Sequence, residues 1–157
     1  MARDAMRVGR VLVTGMSGTG KSSVLLELAR RGLRTVDTDE PGWKEEREGE
    51  ELWCEDRIAA LLDEPGNLVV SGTVMNQGRF YDRFDAVVLL SAPADVILDR
   101  IAARTTNRFG KSPEERERIL ADLAEAEPLL RAGCTHELDA TRPLAKIADE
   151  LEALARA

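Results

Sequence analysis

The stretch Gly15-Met16-Ser17-Gly18-Thr19-Gly20-Lys21-Ser22 decides how this chain is organised. It matches the phosphate-binding pattern G-x-x-x-x-G-K-[ST], which works where a strand ends and a helix begins. The apolar run Val11-Leu12-Val13 precedes it, and residues 22–31 continue with helical spacing. The pattern therefore stands in the context that a phosphate-binding loop requires, and we interpret it as one rather than as an ordinary glycine-rich turn.

The chemistry of phosphate binding accounts for the residue types in this loop. Glycines carry no Cβ, so successive backbone N–H groups can point inward and surround an anion at the positive end of the following helix. Lys21 adds a mobile charge for the transferring phosphoryl group, and the hydroxyl of Ser22 suits Mg²⁺. We expect ATP with Mg²⁺ as the ligand. The residues expected to hold the nucleotide here are Gly15, Ser17, Gly18, Thr19, Gly20, Lys21, Ser22 and Ser23.

Composition and charge restrict the class of protein. A chain of 157 residues, 43% hydrophobic, fits one domain with a sizeable core. The net charge of −7 disfavours nucleic-acid polymers and membranes as partners, so we expect a small-molecule partner and a monomer or homodimer. Residues 1–10 lack the apolar segment of a signal peptide, and Cys54 and Cys134 have no metal or redox spacing. We therefore expect a cytoplasmic protein.

Apolar runs alternate with helical periodicity along the chain, which is typical of βαβ units and a parallel sheet covered by helices on both faces. The sequence predicts an α/β fold with five strands, all parallel, and a loop over residues 38–48. The predicted strands are Arg10–Thr14, Leu33–Asp37, Asn67–Ser71, Asp85–Leu90 and Cys134–Asp139. Helices are predicted over residues 22–31 and 50–62, from Pro93, from Pro113 with a bend at Pro128, and over residues 144–154.

Asp37 and Asp39 follow the second predicted strand, at the carboxyl edge where open parallel sheets bind ligands. Alternate residues point the same way, so both carboxylates could face the phosphate loop. We expect Asp37 to help hold Mg²⁺ and Asp39 to orient an acceptor hydroxyl and take its proton. The alternative is that the pair only caps the loop through an Asx turn. Ser71 stands where an acidic magnesium residue is common, so Asp37 would balance the metal charge.

A basic cluster lies at the break between two predicted helices. It consists of Arg104, Arg108, Lys111, Arg116 and Arg118. With Gly110 as a hinge, a lid of approximately residues 105–116 could close over the phosphates and expel water. Arg104 and Arg108 are the leading candidates to stabilise the transferring charge. The alternative is that the cluster is a solvated helix face.

Three further features are candidates for ligand recognition. The turn Asp139–Pro143 opens the last helix near the expected adenine, where Arg142 and Pro143 could frame the base. Trp43 and Trp53 could wall a substrate pocket or pack in the core. Polar side chains after the third strand could recognise a substrate through hydrogen bonds: Asn76, Gln77, Arg79 and Tyr81.

Residues 15–22, the Asp37–Asp39 pair, residues 104–111 and the turn 139–143 together resemble the small phosphate-loop kinases of metabolites: the shikimate kinase, gluconate kinase and nucleoside monophosphate kinase group. The resemblance covers nearly the whole chain. It implies a three-layer P-loop NTPase fold with strand order 2-3-1-4-5, an AAA-type ATP-binding domain and a mobile lid. It also implies that Arg104 and Pro143 pack near the adenine.

That resemblance implies ATP-dependent transfer of the γ-phosphoryl group to a hydroxyl of a small polar metabolite or nucleoside. The acceptor itself is left open, because Cys54 stands near the place where shikimate kinases have an arginine. The Asp-Gly-Phe-Pro-Arg run of nucleoside monophosphate kinases is absent as well. An enzyme like the nucleoside monophosphate kinases and a non-kinase switch that hydrolyses ATP are the two alternatives.

Overall fold

The computed structural model describes residues 9–103 and 111–156. Strands and helices alternate along most of this length, as the apolar runs predict. The elements in chain order are β1 (Arg10–Thr14), α1 (Lys21–Arg30), β2 (Thr35–Asp37), β3 (Lys44–Arg47), β4 (Glu50–Trp53), α2 (Glu55–Asp63), β5 (Leu68–Ser71), a 3₁₀ helix (Gln77–Arg83), β6 (Ala86–Ser91), α3 (Ala94–Ala103), α4 (Pro113–Gly133), β7 (His136–Asp139) and α5 (Leu144–Arg156).

The main sheet has five parallel strands in the order β2-β5-β1-β6-β7. Counting only these five strands, this is the predicted order 2-3-1-4-5, so the α/β fold prediction is confirmed. Strand β1 lies at the centre, and its residues Val11, Leu12 and Val13 are fully buried. The phosphate loop therefore follows the central, fully buried strand of the sheet.

Helices cover both faces of the sheet, because alternate residues of a strand point to opposite sides. Val11 and Val13 pack in one cluster with apolar residues of α1 and α5. Leu12 packs in a second cluster with α2 and the 3₁₀ helix. These two apolar clusters give the three-layer architecture its hydrophobic stabilisation.

The prediction of a loop over residues 38–48 followed by a helix from residue 50 is wrong. Strands β3 and β4 form an antiparallel hairpin outside the main sheet, and α2 begins only at Glu55. The two-residue turn of the hairpin, Glu48-Gly49, has φ values of 53° and 80°, as a type I′ turn requires. Four of the eight strand residues are glutamate, which has low strand propensity, so composition concealed the hairpin.

The hairpin is fixed to the sheet through Trp53, which is fully buried. Its indole N–H donates to Thr38 Oγ1 at 3.0 Å, and that hydroxyl donates to the carbonyl of Ser71 at 2.7 Å. The Asn76 side chain accepts from the Trp53 backbone N–H and donates to the Trp53 carbonyl. Trp53 is thus a core residue, and Asn76 holds the hairpin in place rather than facing a ligand.

Helix α4 begins with the predicted capping box, in which Ser112 accepts from the Glu115 N–H and Glu115 accepts from the Ser112 N–H. It then runs as one helix from Pro113 to Gly133, with Pro128 inside it. A proline in a helix interior removes a backbone hydrogen bond. The helix nevertheless continues past Pro128 to Gly133, and Leu130 in this last part is buried.

The junction between β5 and the hairpin generates a stability prediction. A Cβ at Gly72 would overlap the Thr38 hydroxyl and lie 3.1 Å from the indole nitrogen of Trp53. We expect Gly72→Ala to lower the free energy of unfolding by about 1–3 kcal/mol, the usual cost of overpacking. Gly78→Ala is the control, because no atom lies within 4 Å of its added Cβ. Urea denaturation measures both, and equal stability of the two variants would contradict the packing described.

Candidate functional site

The loop after β1 has the backbone conformation of an anion-binding turn. Gly18 and Gly20 have φ values of 87° and 92°, in the left-handed region that favours glycine. Thr19 is buried, and its hydroxyl donates to the carbonyl of Met16 at 2.8 Å, which closes the turn. Helix α1 starts at Lys21, so its free N–H groups and the positive end of its dipole face the loop.

Lys21 lies along the inner side of this loop. Its ammonium group donates to the carbonyls of Gly15 at 2.5 Å and Met16 at 3.2 Å. Burial lowers the pKa of Lys21 from 10.5 to about 8, although Asp39 and Asp37 oppose this by favouring the charged form. The charge needed for phosphate binding is therefore held in a weakly solvated place, where it acts strongly on a nearby anion.

Thr73 anchors the start of the loop, and sequence reasoning assigned it no role. Its hydroxyl donates to the Gly15 carbonyl at 2.7 Å and lies 3.2 Å from the Gly15 N–H. It also lies 3.0 Å from the Thr14 hydroxyl, which accepts from the amide of Gln77. Gln77 is thus part of a buried polar network behind the loop and not a residue that reads a substrate.

Gly15 is constrained from its other side as well. A Cβ there would lie 2.6 Å from the carbonyl oxygen of Leu90 in the neighbouring strand β6. The position therefore requires glycine for close backbone approach, as the loop pattern predicts.

Ser22 and Asp37 meet at the first turn of α1. The Ser22 hydroxyl donates to Asp37 Oδ2 at 2.8 Å. Asp37 Oδ1 accepts from the Asp39 backbone N–H at 2.9 Å, so the Asx turn weighed as an alternative is also present. The two roles are compatible because they use different carboxylate oxygens.

A hydroxyl and a carboxylate oxygen are the ligand types that Mg²⁺ prefers, and Mg²⁺ commonly takes its remaining ligands from substrate phosphates and water. The Ser22–Asp37 pair fits that role. Within residues 9–103 and 111–156 there is no group of three or more His, Cys, Asp and Glu side chains that could enclose a metal ion.

A cleft of about 750 Å³ opens in front of the loop. Asp39 lies in it, together with two residues brought from elsewhere in the chain, Glu51 of the hairpin and Asp122 of α4. Asp39 forms an ion pair with Lys44 of the hairpin, at 2.9 Å. The full lining is Gly15, Met16, Ser17, Gly18, Gly20, Lys21, Ser22, Ser23, Asp39, Glu51, Thr73 and Asp122. Glu51 and Lys44 were missed because their strands were not predicted.

A second pocket, of about 440 Å³, lies on the other side of the loop. Arg142 is among its lining residues and is paired with Glu150 at 3.2 Å, whereas Pro143 is not part of the lining. Arg100 also lines it, donating to the carbonyl of Ala140 at 2.6 Å and to that of Gly18 at 3.4 Å. Arg100 thus links the phosphate loop to the last turn, and nothing in its local sequence distinguishes it from a solvated helix residue.

The remaining candidates divide into three cases. Arg104 and Arg108 lie outside the described residues. Trp43 is half-buried beside Asp37 in a pocket of about 360 Å³ and stacks under Arg57, with 5.5 Å between the guanidinium carbon and the ring centroid. Arg79 forms an ion pair with Glu55 at 3.4 Å, and the Tyr81 hydroxyl accepts a hydrogen bond from the Gln77 amide. Neither Arg79 nor Tyr81 is among the residues that line the cleft.

Comparison with known proteins agrees with this geometry. A family model described as AAA domain matches residues 11–121 of the chain, more than half of its length. No curated protein sequence matches the chain significantly. Across the described part of the chain, no helix combines the length and apolar character needed to cross a bilayer.

Solved structures share the fold over nearly the whole chain. A shikimate kinase from Acinetobacter baumannii in complex with shikimate matches with a TM-score of 0.69 and 20% identity, over 98% of this chain and 96% of that one. A gluconokinase from Sinorhizobium meliloti 1021 matches with a TM-score of 0.61 and 27% identity, over 94% and 92%. A deoxyadenosine kinase from M. mycoides with bound dATP matches with a TM-score of 0.62 and 11% identity, over 94% and 99%. The resemblance to small phosphate-loop kinases is thereby confirmed.

The Thr73 anchor can be tested by removing its hydroxyl. Thr73→Val keeps the shape of the side chain but leaves the Gly15 N–H and the Thr14 hydroxyl without this partner. We expect a loss of about 1–3 kcal/mol in the free energy of unfolding, the cost of leaving buried polar groups unsatisfied. Thr73→Ser is the control that keeps the hydroxyl. Chemical denaturation compares the two, and a valine variant as stable as the serine variant would show that the anchor is dispensable.

Proposed function

The chain belongs to the AAA domain family, and from that premise we propose that it is a phosphotransferase that moves the γ-phosphoryl group of ATP to a hydroxyl of a small molecule. The single observation that supports this best is the cleft in which Lys21 of the phosphate loop and the Asp39 carboxylate stand together. A loop that only binds a nucleotide needs no acceptor carboxylate beside it. We take residues 1–157 as one kinase domain with a lid of approximately residues 105–116.

In the proposed reaction, the backbone N–H groups of the loop and the Lys21 ammonium hold the triphosphate and stabilise charge on the transferring group. Arg104 and Arg108 are proposed to add guanidinium donors from the lid. Ser22 and Asp37 would hold Mg²⁺, which when bound neutralises charge on the phosphate oxygens.

Asp39 is proposed to act on the acceptor. Its carboxylate would accept a hydrogen bond from the acceptor hydroxyl, orient the oxygen for in-line attack and receive the proton. The new bond forms between that oxygen and the γ-phosphorus, while the bond from the γ-phosphorus to the bridging oxygen breaks and ADP leaves. The ion pair with Lys44 holds the Asp39 side chain in one orientation during these events.

The pocket lined by Arg100 and Arg142 is the proposed place of the adenine base. It adjoins Gly18 and Gly20, so a nucleotide whose phosphates occupy the loop can reach it. Arginine side chains stack well on flat aromatic rings, and Arg142 is placed to do so. Arg104 is proposed to pack near the same base. Pro143 directly precedes the last helix, next to Arg142, and its ring is proposed to lie close to the base.

The proposed setting is the cytoplasm, with a small-molecule acceptor and no nucleic-acid polymer or membrane as partner. Both cysteines, Cys54 and Cys134, are free thiols, which suits a reducing compartment. The acidic net charge of −7 supports the same choice of partners. A monomer or homodimer would serve this reaction, since every proposed role lies within one chain.

The role of Asp39 can be tested with Asp39→Asn, which removes the base and keeps the shape. We expect phosphoryl transfer to fall at least ~10²-fold while ATP affinity is retained, as is usual for acid–base groups. Asp82→Asn is the matched control, because Asp82 is exposed and is not among the residues that line the cleft. ADP release in the presence of acceptors is the measurement. Unchanged turnover would remove Asp39 from the mechanism, and acceptor-independent hydrolysis would favour a nucleotide switch.

The lowered pKa of Lys21 predicts how nucleotide binding depends on pH. The charged form binds phosphates, so raising the pH through about 8 removes the cation from the free protein and weakens binding. We expect the Kd of ATP to rise on the order of tenfold between about pH 7 and about pH 9.5, since one pKa unit corresponds to a factor of ten. Lys21→Met should bind weakly at every pH and controls for ionisation of ATP itself. Calorimetry on both proteins measures this, and parallel curves would contradict the prediction.

A further inference from the structure

The charged residues that line the cleft in front of the phosphate loop form two groups, one positive and one negative. Lys21 belongs to the phosphate loop, where its ammonium is turned toward the Gly15 and Met16 carbonyls. The other charged lining residues are all acidic: Asp39, Glu51 and Asp122. Among the described residues that line the cleft, no arginine or lysine lies outside the phosphate loop. As far as the described residues go, the part of the cleft left for an acceptor therefore carries negative charge.

Lys44 neutralises this charge only in part. Its ammonium bridges Asp39 Oδ1 at 2.9 Å and Glu51 Oε2 at 3.1 Å, which raises the pKa of Lys44 even though burial acts to lower it. One cation thus serves two carboxylates. The Lys44 side chain is 22% exposed, against 60% for Asp39 and 66% for Glu51, so a ligand in the cleft meets the carboxylates first.

Each of these carboxylates also has capacity for another donor. The ion pairs with Lys44 use one oxygen of each group, Asp39 Oδ1 and Glu51 Oε2, and a carboxylate has two oxygens that can accept. The backbone beneath Glu51 is held firmly, because its carbonyl accepts from the Met75 N–H at 3.4 Å and the next strand residues are tied down through Trp53 and Asn76. Glu51 is therefore a cleft-lining carboxylate on a strand that hydrogen bonds connect to the segment after β5.

These observations favour one chemical class of acceptor. A carboxylate or phosphate placed beside Glu51 and Asp122 would be repelled, whereas an ammonium group would form charge-assisted hydrogen bonds with them. The net charge of −7 would also attract a cation from solution and repel an anion. We infer that the phosphoryl acceptor is a hydroxyl compound that carries a protonated amine, with Glu51 as the residue that selects it. This inference rests on the proposed kinase function.

Matched acceptors that differ only in charge test the inference. ADP release is followed at about pH 7 with ATP and Mg²⁺ and one of two series: glucosamine, glucose and gluconate, or ethanolamine, ethylene glycol and glycolate. Kanamycin serves as a larger amine, and shikimate and AMP as further anions. We expect an amine-bearing compound to give a kcat/KM at least about tenfold above those of neutral and anionic compounds, the scale of one charge-assisted hydrogen bond.

Failure of this inference and failure of the kinase proposal give different results. If a fluorescent ATP analogue binds and only a neutral or anionic acceptor is phosphorylated, the kinase proposal stands and the amine assignment is overturned. If the analogue binds and no amine in the panel raises ADP release, the amine assignment is overturned as well. Absence of nucleotide binding, or hydrolysis at one rate whatever the acceptor, would instead overturn the kinase proposal.

Glu51→Gln tests the selecting residue directly, since it removes the charge and keeps the shape. We expect the KM of the amine acceptor to rise at least about tenfold, while the KM of its neutral counterpart and the Kd of ATP stay the same. Glu50→Gln is the matched control: Glu50 is the neighbouring strand residue, exposed and absent from the cleft lining. An equal change in KM for charged and neutral acceptors would show that Glu51 is only structural and would overturn its selecting role.

Discussion

The carbonyl oxygen of Gly15 accepts hydrogen bonds from the Lys21 ammonium and the Thr73 hydroxyl, and the candidate site depends on this convergence. One donor comes from the first turn of α1 and the other from the segment after β5. The carbonyl therefore ties the start of the phosphate loop to both the helix and the neighbouring strand. Because Gly15 also packs closely against β6, three strands of the sheet determine where the loop begins.

A second group of hydrogen bonds fixes the hairpin to the sheet, as the contacts of Gly15 fix the start of the phosphate loop. Trp53, Thr38 and the Ser71 carbonyl form a chain of hydrogen bonds in a fully buried place. Buried polar groups are costly unless each finds a partner, so a satisfied chain of this kind permits one arrangement of the hairpin on the sheet. This packing also decides which charged groups lie at the site, because the hairpin brings Lys44 and Glu51 next to Asp39. The acidic character of the cleft is thus a result of the same packing that stabilises the fold.

The positive and negative charges around the site differ in how far they are exposed to solvent. The Lys21 ammonium lies within the loop, where burial lowers its pKa, whereas the carboxylates of Asp39 and Glu51 reach into solvent. This cation, together with the free backbone N–H groups at the start of α1, favours a polyanion at the inner end of the cleft. Exposed carboxylates favour a polar or cationic group at the outer end. This separation suits a reaction that joins a triphosphate to a second molecule of different charge.

The sequence by itself determined the phosphate loop, the parallel α/β sheet and the positions of Asp37 and Asp39, because these depend on local patterns: a glycine spacing, apolar runs and a strand end. The hairpin, the Thr73 anchor and the places of Arg100 and Glu51 near the loop were decided only by the tertiary structure. Their residues are ordinary in local sequence. Thr73 and Arg100 find partners far along the chain, Gly15 and Ala140, and Glu51 lines the cleft because the hairpin packs on the sheet. Contacts of that kind arise from packing, which a local pattern does not encode.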